Sequence, residues 1–248
     1  MEVSLYQAAA AMNATEQWQE LISENLAGAS TPGARKHEIS FSAVQAGLTP
    51  PSADPTRPGF VIPMATATTN FQQGELHSTG DPMDAALEGS GLFTLQSADG
   101  ATTYTRNGEF QVNSQSQLVT TRGDLVMGDN GPIQLSPGNP SPITISPSGE
   151  VTQGTAPKGK LQITEFNNPG LLTALGGGIF RADDASLQSN PSANTQVRQG
   201  FVENANSVPT LEMSGLITAM RMFESNQKVL QMQSDRMSRE ITDLGAPS

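Results

Sequence analysis

Cysteine is absent from all 248 residues. That removes disulfides, thiolate nucleophiles and Cys-ligated metals from consideration. Basic residues are scarce: 13 Lys and Arg stand against 24 Asp and Glu, a formal net charge of −11. A nucleic-acid partner would need a basic face to neutralise phosphates, and an anionic membrane surface would repel this chain. Neither is an expected partner. Aromatic residues make up only 5% of the chain and hydrophobic residues 35%, too few large side chains for one dense α/β core. No stretch approaches the roughly 20 apolar residues of a membrane helix. The opening segment, Met1-Glu2-Val3-Ser4-Leu5-Tyr6, carries no basic n-region and no continuous apolar run, so if the protein leaves the cytoplasm it is expected to do so without a cleavable signal peptide.

What the sequence does have is periodicity at its ends and turn-formers between them. Residues 3–29 read as a helix, with Leu5, Ala8, Met12, Thr15, Gln19, Ile22 and Leu26 at alternating steps of three and four. That spacing draws a narrow seam of coiled-coil type. A second row, Ala11, Trp18, Leu21 and Ala29, predicts more than one neighbour. Residues 209–244 predict a second helix, opened by Pro209 and ended by Gly245-Ala246-Pro247. Its seam reads Leu216, Met220, Phe223, Gln227, Leu230, Ser234, Met237, Ile241 and Leu244. A helix with one apolar stripe needs a partner to cover it. Periodicity leaves open whether the two helices form a hairpin packed on the sheet or also pack against further copies.

Between the helices, 24 Gly and 17 Pro over the whole chain favour short strands and turns. Residues 32–80, with Pro50, Pro51, Pro55, Pro58 and Pro63, read as an extended arm, disorder being the alternative. From about 81 to 170 short strands alternate with turns, and Asp99-Gly100 and Asn107-Gly108 carry the hairpin signature. Residues 171–205 read as a return through a Gly-rich stretch and a polar loop. The fold class is therefore α+β: N- and C-terminal α-helices forming a coiled-coil-like pair, with an inserted antiparallel β-rich domain. The expected divisions are an N-terminal assembly helix (1–31), the arm (32–80), the β-rich domain with its return segment (81–205) and a C-terminal assembly helix (206–248).

Chemical sites are hard to find. His77 lies near Glu75, Asp81 and Asp84, but one His with scattered carboxylates fits no ligand template, and Thr79-Gly80-Asp81-Pro82 reads as a turn. Arg122-Gly123-Asp124 likewise reads as a turn between strands. Gly176-Gly177-Gly178 lacks the Lys and Ser/Thr of a phosphate loop, and no serine sits in a nucleophile elbow. No cofactor, metal or catalytic residue is assigned. The chain reads as a non-enzymatic structural subunit, the alternatives being a monomeric β-rich binding module or adhesin with a helical stalk and, less favoured, a β-sandwich hydrolase.

Several segments also form recognisable motifs. Asn25-Leu26-Ala27-Gly28-Ala29-Ser30-Thr31-Pro32-Gly33 spans the end of the first helix and the turn after it. Asp84-Ala85-Ala86-Leu87-Glu88-Gly89-Ser90-Gly91-Leu92-Phe93 and Tyr104-Thr105-Arg106-Asn107-Gly108-Glu109-Phe110 lie in the middle. Gln199-Gly200-Phe201-Val202-Glu203 precedes Phe223-Glu224-Ser225-Asn226-Gln227-Lys228. In this order they resemble the bacterial flagellar rod and hook family, the axial proteins of the basal body. Departures from the family pattern fall at Glu24, Gly28, Ala34 and Ala205-Asn206-Ser207, and the short 32–80 segment looks more like a proximal rod protein than a distal rod or hook subunit. The resemblance implies a subunit of the periplasmic drive shaft that transmits torque. Its implied partners are copies of itself, other axial rod and hook proteins and the flagellar type III export apparatus.

Overall fold

A computed structural model describes residues 2–46, 60–139, 141–192 and 194–245. The chain divides into two compact units, one from residues up to Glu24, 37–68 and Pro209 onward, the other from 25–36 and 69–208.

The first unit contains α2 (Pro209–Gly245) and all but the last turn of α1 (Glu2–Gly28); at 1.5 Å per residue the helices extend about 55 and 40 Å. On α1, Ala8, Thr15 and Ile22 are buried, and Met12 and Leu26 are half-buried. The polar Thr15 is tolerated there because its Oγ1 donates to the carbonyls of Ala11 and Met12 at 2.9 and 2.8 Å. The second row is partly covered too: Ala11, Trp18 and Leu21 are half-buried. The Trp18 ring meets Phe41 edge-on, with centroids 5.8 Å apart. Ile22 faces Gly215 of α2, where an added Cβ would lie 3.4 Å from its Cδ1.

Phe41 belongs to a strand, His37–Ala46, that pairs with Phe60–Thr69 in a two-stranded ribbon. This differs from the extended arm expected over 32–80. Four of the five prolines behind that expectation, Pro50, Pro51, Pro55 and Pro58, lie outside the described residues. Pro63 does sit in a strand, but a two-stranded ribbon has only edge strands, where a missing amide is tolerated.

The covered stripe of α2 also differs from the expected seam. Beside Gly215, its less exposed positions are Glu212, Leu216, Ala219, Phe223, Asn226, Leu230, Gln233 and Met237. The steps of four and three are as expected, and Leu216, Phe223, Leu230 and Met237 lie on the stripe. Its alternate positions fall one residue earlier: Ala219 is fully buried, whereas Met220 is 50% exposed and Gln227 is exposed. Small Ala219 permits a closer approach than Met220 would, so packing outweighs the larger apolar payload. The side chains of Leu5, Ile241 and Leu244 lie outside the described residues.

The second unit is built on a central antiparallel sheet. Its strands run in the order Thr173–Gly176, Ile179–Arg181, Thr102–Thr105, Leu92–Gln96, Leu125–Gly128, Leu118–Thr120, Phe110–Val112. Alternation along Leu92–Gln96 supplies two cores, since successive side chains leave opposite faces. Phe93 and Leu95 join Leu87, Phe110, Leu118, Val126 and Ile133 in one cluster, while Leu92 joins Leu172 and Phe180 in the other. A three-stranded sheet, Ile143–Ile145, Glu150–Gln153 and Ala156–Lys160, adds Ile145 and Val151 to the larger core.

Asp99-Gly100 closes the hairpin between Leu92–Gln96 and Thr102–Thr105, as expected. Asn107-Gly108 does not form one: the strands on either side of it pair elsewhere. Glycine is needed at 108 for proximity, because a Cβ there would sit 1.6 Å from the Ala85 carbonyl oxygen. Residues 171–205, expected as a loop, also contribute strands. Gln196–Gln199 pairs with Ala85–Glu88, and Phe201–Glu203 pairs with Leu76–Ser78. Their alternation is too short to register as a period.

Candidate assembly site

Three motif segments far apart in sequence converge inside the second unit. Arg35 follows the Thr31-Pro32-Gly33 turn, Arg106 lies just past the strand Thr102–Thr105, and Glu203 ends the strand Phe201–Glu203. Arg35 Nη2 donates to Glu203 Oε1 at 2.7 Å, and Arg106 Nη1 to Oε2 at 3.3 Å. The Arg35 and Glu203 side chains are fully buried and that of Arg106 is 2% exposed. Glu203 Oε1 also accepts the Gly74 amide at 2.7 Å, and Arg106 reaches the carbonyls of Leu87 and Gly89. Burial pushes the Arg106 guanidinium down to about 10; Glu203 opposes that shift and the Arg35 charge adds to it.

Two buried cations on one carboxylate gain modest stability relative to an apolar core, but removing one partner strands a buried charge. The cluster therefore acts as a clasp that tolerates one arrangement of its strands. Backbone contacts reinforce it. The Gly33 amide donates to the Glu203 carbonyl at 2.7 Å, and a Cβ on Gly33 would meet the Asn107 nitrogen at 2.3 Å. Asn206 spans three segments: its Oδ1 accepts the Lys36 amide at 2.7 Å, and its Nδ2 donates to the carbonyls of Asn70 and Gln72. Ser207 Oγ donates to the carbonyl of buried Asn25 at 3.3 Å. The segment leaving α1 and the segment entering α2 are thus fastened to the same β framework.

The remaining motif residues support this clasp or the core. Asp84 accepts the Thr79 hydroxyl, and its carbonyl accepts the Gly200 amide at 2.8 Å. The Gly91 amide donates to Thr195 Oγ1, which donates in turn to Glu165; Gly89 packs on the same threonine. Thr105 Oγ1 donates to the Gly178 carbonyl, Tyr104 packs edge-on against Phe166, and Phe110 against Phe93. Thr31 caps the end of α1 through its amide to Gly28, Leu26 is half-buried and Ala27 is exposed. Asn226 lies on the covered stripe of α2 and Lys228 on its exposed side.

The sequence motifs alone give Arg35 and Asn206 no site role. A charged residue two positions past Gly33 is the available signal for the first; nothing local marks the second. His77 lies in the strand Leu76–Ser78 opposite Val202, and no group of three or more His, Asp or Glu among the described residues could hold a metal ion.

The helices offer the other candidate feature. Although one stripe of α2 is covered, Leu211, Met213, Ile217, Met220, Met222, Val229 and Met232 remain between 38% and 68% exposed. Large apolar side chains exposed in this number on one helix mark an interaction surface. No helix among the described residues is long and apolar enough to cross a membrane.

Two family models match the chain: the flagellar hook protein FlgE/F/G D1 domain over residues 86–153 and the flagellar basal body rod FlgEFG protein C-terminal over residues 198–244. Similar proteins include the flagellar basal-body rod protein FlgF of Escherichia coli, 31% identical over 96% of this chain and 97% of the relative. FlgF of Salmonella typhimurium is 32% identical over 93% of each chain. FlgG of Borreliella burgdorferi is 31% identical over 94% of this chain and 95% of its own length.

Proposed function

As a member of the flagellar basal-body rod family, the chain is a structural subunit of the rod, and we propose that it polymerises through its terminal helices into the axial drive shaft that transmits torque. The observation that carries this reading is the exposed apolar surface of α2, which persists after one stripe is already covered. Isolated in water such a surface is unfavourable, and packing neighbouring copies or other axial proteins over it removes that penalty. The clasp of Arg35, Arg106 and Glu203 has a matching role, holding the roots of both helices on the β-rich unit so that torque passes between them.

We assign the protein to the periplasmic rod, reached through the flagellar type III export apparatus, with no cofactor and no catalytic step. The test compares the full-length chain with versions lacking residues 1–30 or 209–248. The full chain is expected to self-associate as its concentration rises, and each truncation to remain a folded β-rich monomer. In cells lacking the protein, electron micrographs of basal bodies should show a rod that stops short. A complete rod in such cells, or a full-length chain whose helices are rigid and protease-resistant as a dilute monomer, overturns the reading.

A further inference from the structure

Each terminal helix carries charge on the side opposite its covered stripe, and the two sides are unlike. Helix α1 contains Glu2, Glu16, Glu20 and Glu24 and no basic residue. Glu16, Glu20 and Glu24 are all exposed, and at about 100° per residue they form one ridge, roughly 180° from half-buried Ala11 and Trp18 and buried Ile22. Carboxylates at i and i+4 repel one another and weaken an isolated helix. The ridge is therefore unfavourable until a cation covers it. On α2 the corresponding outward side bears Arg221, Lys228 and Arg239, all exposed and within about 20° of one another. Glu224 and Asp235 lie beside them, so this side carries three cations against two carboxylates.

None of the six ridge residues makes an ion pair among the described residues. One chain cannot bring the ridges together, because each lies behind its own helix relative to the covered stripe. Two chains can. The rise from Glu16 to Glu24 is about 12 Å and that from Arg221 to Lys228 about 10 Å, so the charges can be matched along two crossing or antiparallel helices. Small Ala9, Asn13 and Ala27 line the α1 ridge and allow close approach. Exposed Ile217, Val229 and Met232 flank the basic ridge and supply apolar contact.

We propose that the acidic ridge of α1 docks on the basic outward side of α2 in a second copy of this chain. The contact deepens the assembly reading above and rests on it. It is heterologous, each copy presenting one acidic and one basic ridge, so it repeats from copy to copy rather than closing as a two-fold dimer. Charge complementarity sets the register, and like-charge juxtaposition rejects others.

The experiment uses the full chain in three forms: unaltered, E16K/E20K/E24K, and R221E/K228E/R239E. Self-association is followed by sedimentation velocity, and circular dichroism verifies that all three fold. The unaltered chain is expected to associate and to lose association as salt is raised to about 0.5 M. Each reversed chain alone should associate at least about tenfold more weakly, and an equimolar mixture of the two should regain the association. Because the chain has no cysteine, a disulfide between E20C in one copy and K228C in another supplies an independent readout. Reversed chains that associate like the unaltered one, or a mixture that does not recover, overturn the ridge contact and leave the assembly reading intact. An unaltered chain that stays monomeric at every concentration overturns both self-assembly and the second copy as occupant.

Discussion

Arg35 Nη2 lies 2.7 Å from Glu203 Oε1, a contact between fully buried side chains 168 positions apart in the chain. It ties the turn after the first helix to the strand that precedes the last one. Arg106 occupies the other oxygen, so one carboxylate serves both guanidinium groups.

Replacing Glu203 with Gln keeps the shape and leaves two buried cations without their counter-charge. E203Q is expected to lower the unfolding free energy by about 3 kcal/mol, read as a reduced denaturant midpoint of the full chain. A loss under about 1 kcal/mol would mean that the cluster contributes no more than a surface pair.

Gly108 and Gly100 test two different reasons for glycine. A methyl group at 108 meets the Ala85 carbonyl oxygen at 1.6 Å, whereas at 100 nothing lies within 4 Å and only the positive φ of 83° opposes a side chain. G108A should therefore cost at least about 3 kcal/mol and G100A about 1 kcal/mol. Equal effects in thermal or chemical denaturation would contradict the close approach at Ala85.

Ala219 and Met220 distinguish the covered side of α2 from the exposed side. A219E buries an unpaired carboxylate at a fully covered site and is expected to lower helicity and stability by at least about 2 kcal/mol. M220E, at a half-exposed site, should leave the monomer's circular dichroism unchanged while weakening self-association. The opposite outcome would restore the seam read from periodicity alone.

Glu165 gives a dependence on pH. Hydrogen bonds from Ser192, then Thr195, hold its carboxyl below the usual 4.5, with Arg106 adding a smaller push in the same direction. A lowered folded value means that the unfolded chain binds more protons in the window between the two values, so stability rises with pH there. The contribution is complete above about 4.5 and is lost as pH falls through the lowered value. E165Q should be less stable than the unaltered chain at neutral pH, and the two midpoints should converge in acid. A gap that persists in acid would assign the effect to packing rather than to the charge.

The chain's own pattern determined the terminal helices, the antiparallel β character of the middle and the family motifs. Each of these is local: a step of three and four, a strand of alternating residues, or a short string of side chains. The ends of α1 and α2 were likewise legible, since Pro209 and the closing glycines act within one turn. The tertiary structure decided everything that depends on which face meets which. It moved the covered stripe of α2 from Met220 to Ala219, because close approach favours the smaller side chain and periodicity ranks only hydrophobicity. It brought Arg35, Arg106 and Glu203 onto one buried carboxylate, a meeting that no spacing in the chain announces. It also turned Asn107-Gly108 from an expected hairpin into a close approach to Ala85. Local signals set what each segment becomes, and long-range packing sets where its side chains must go.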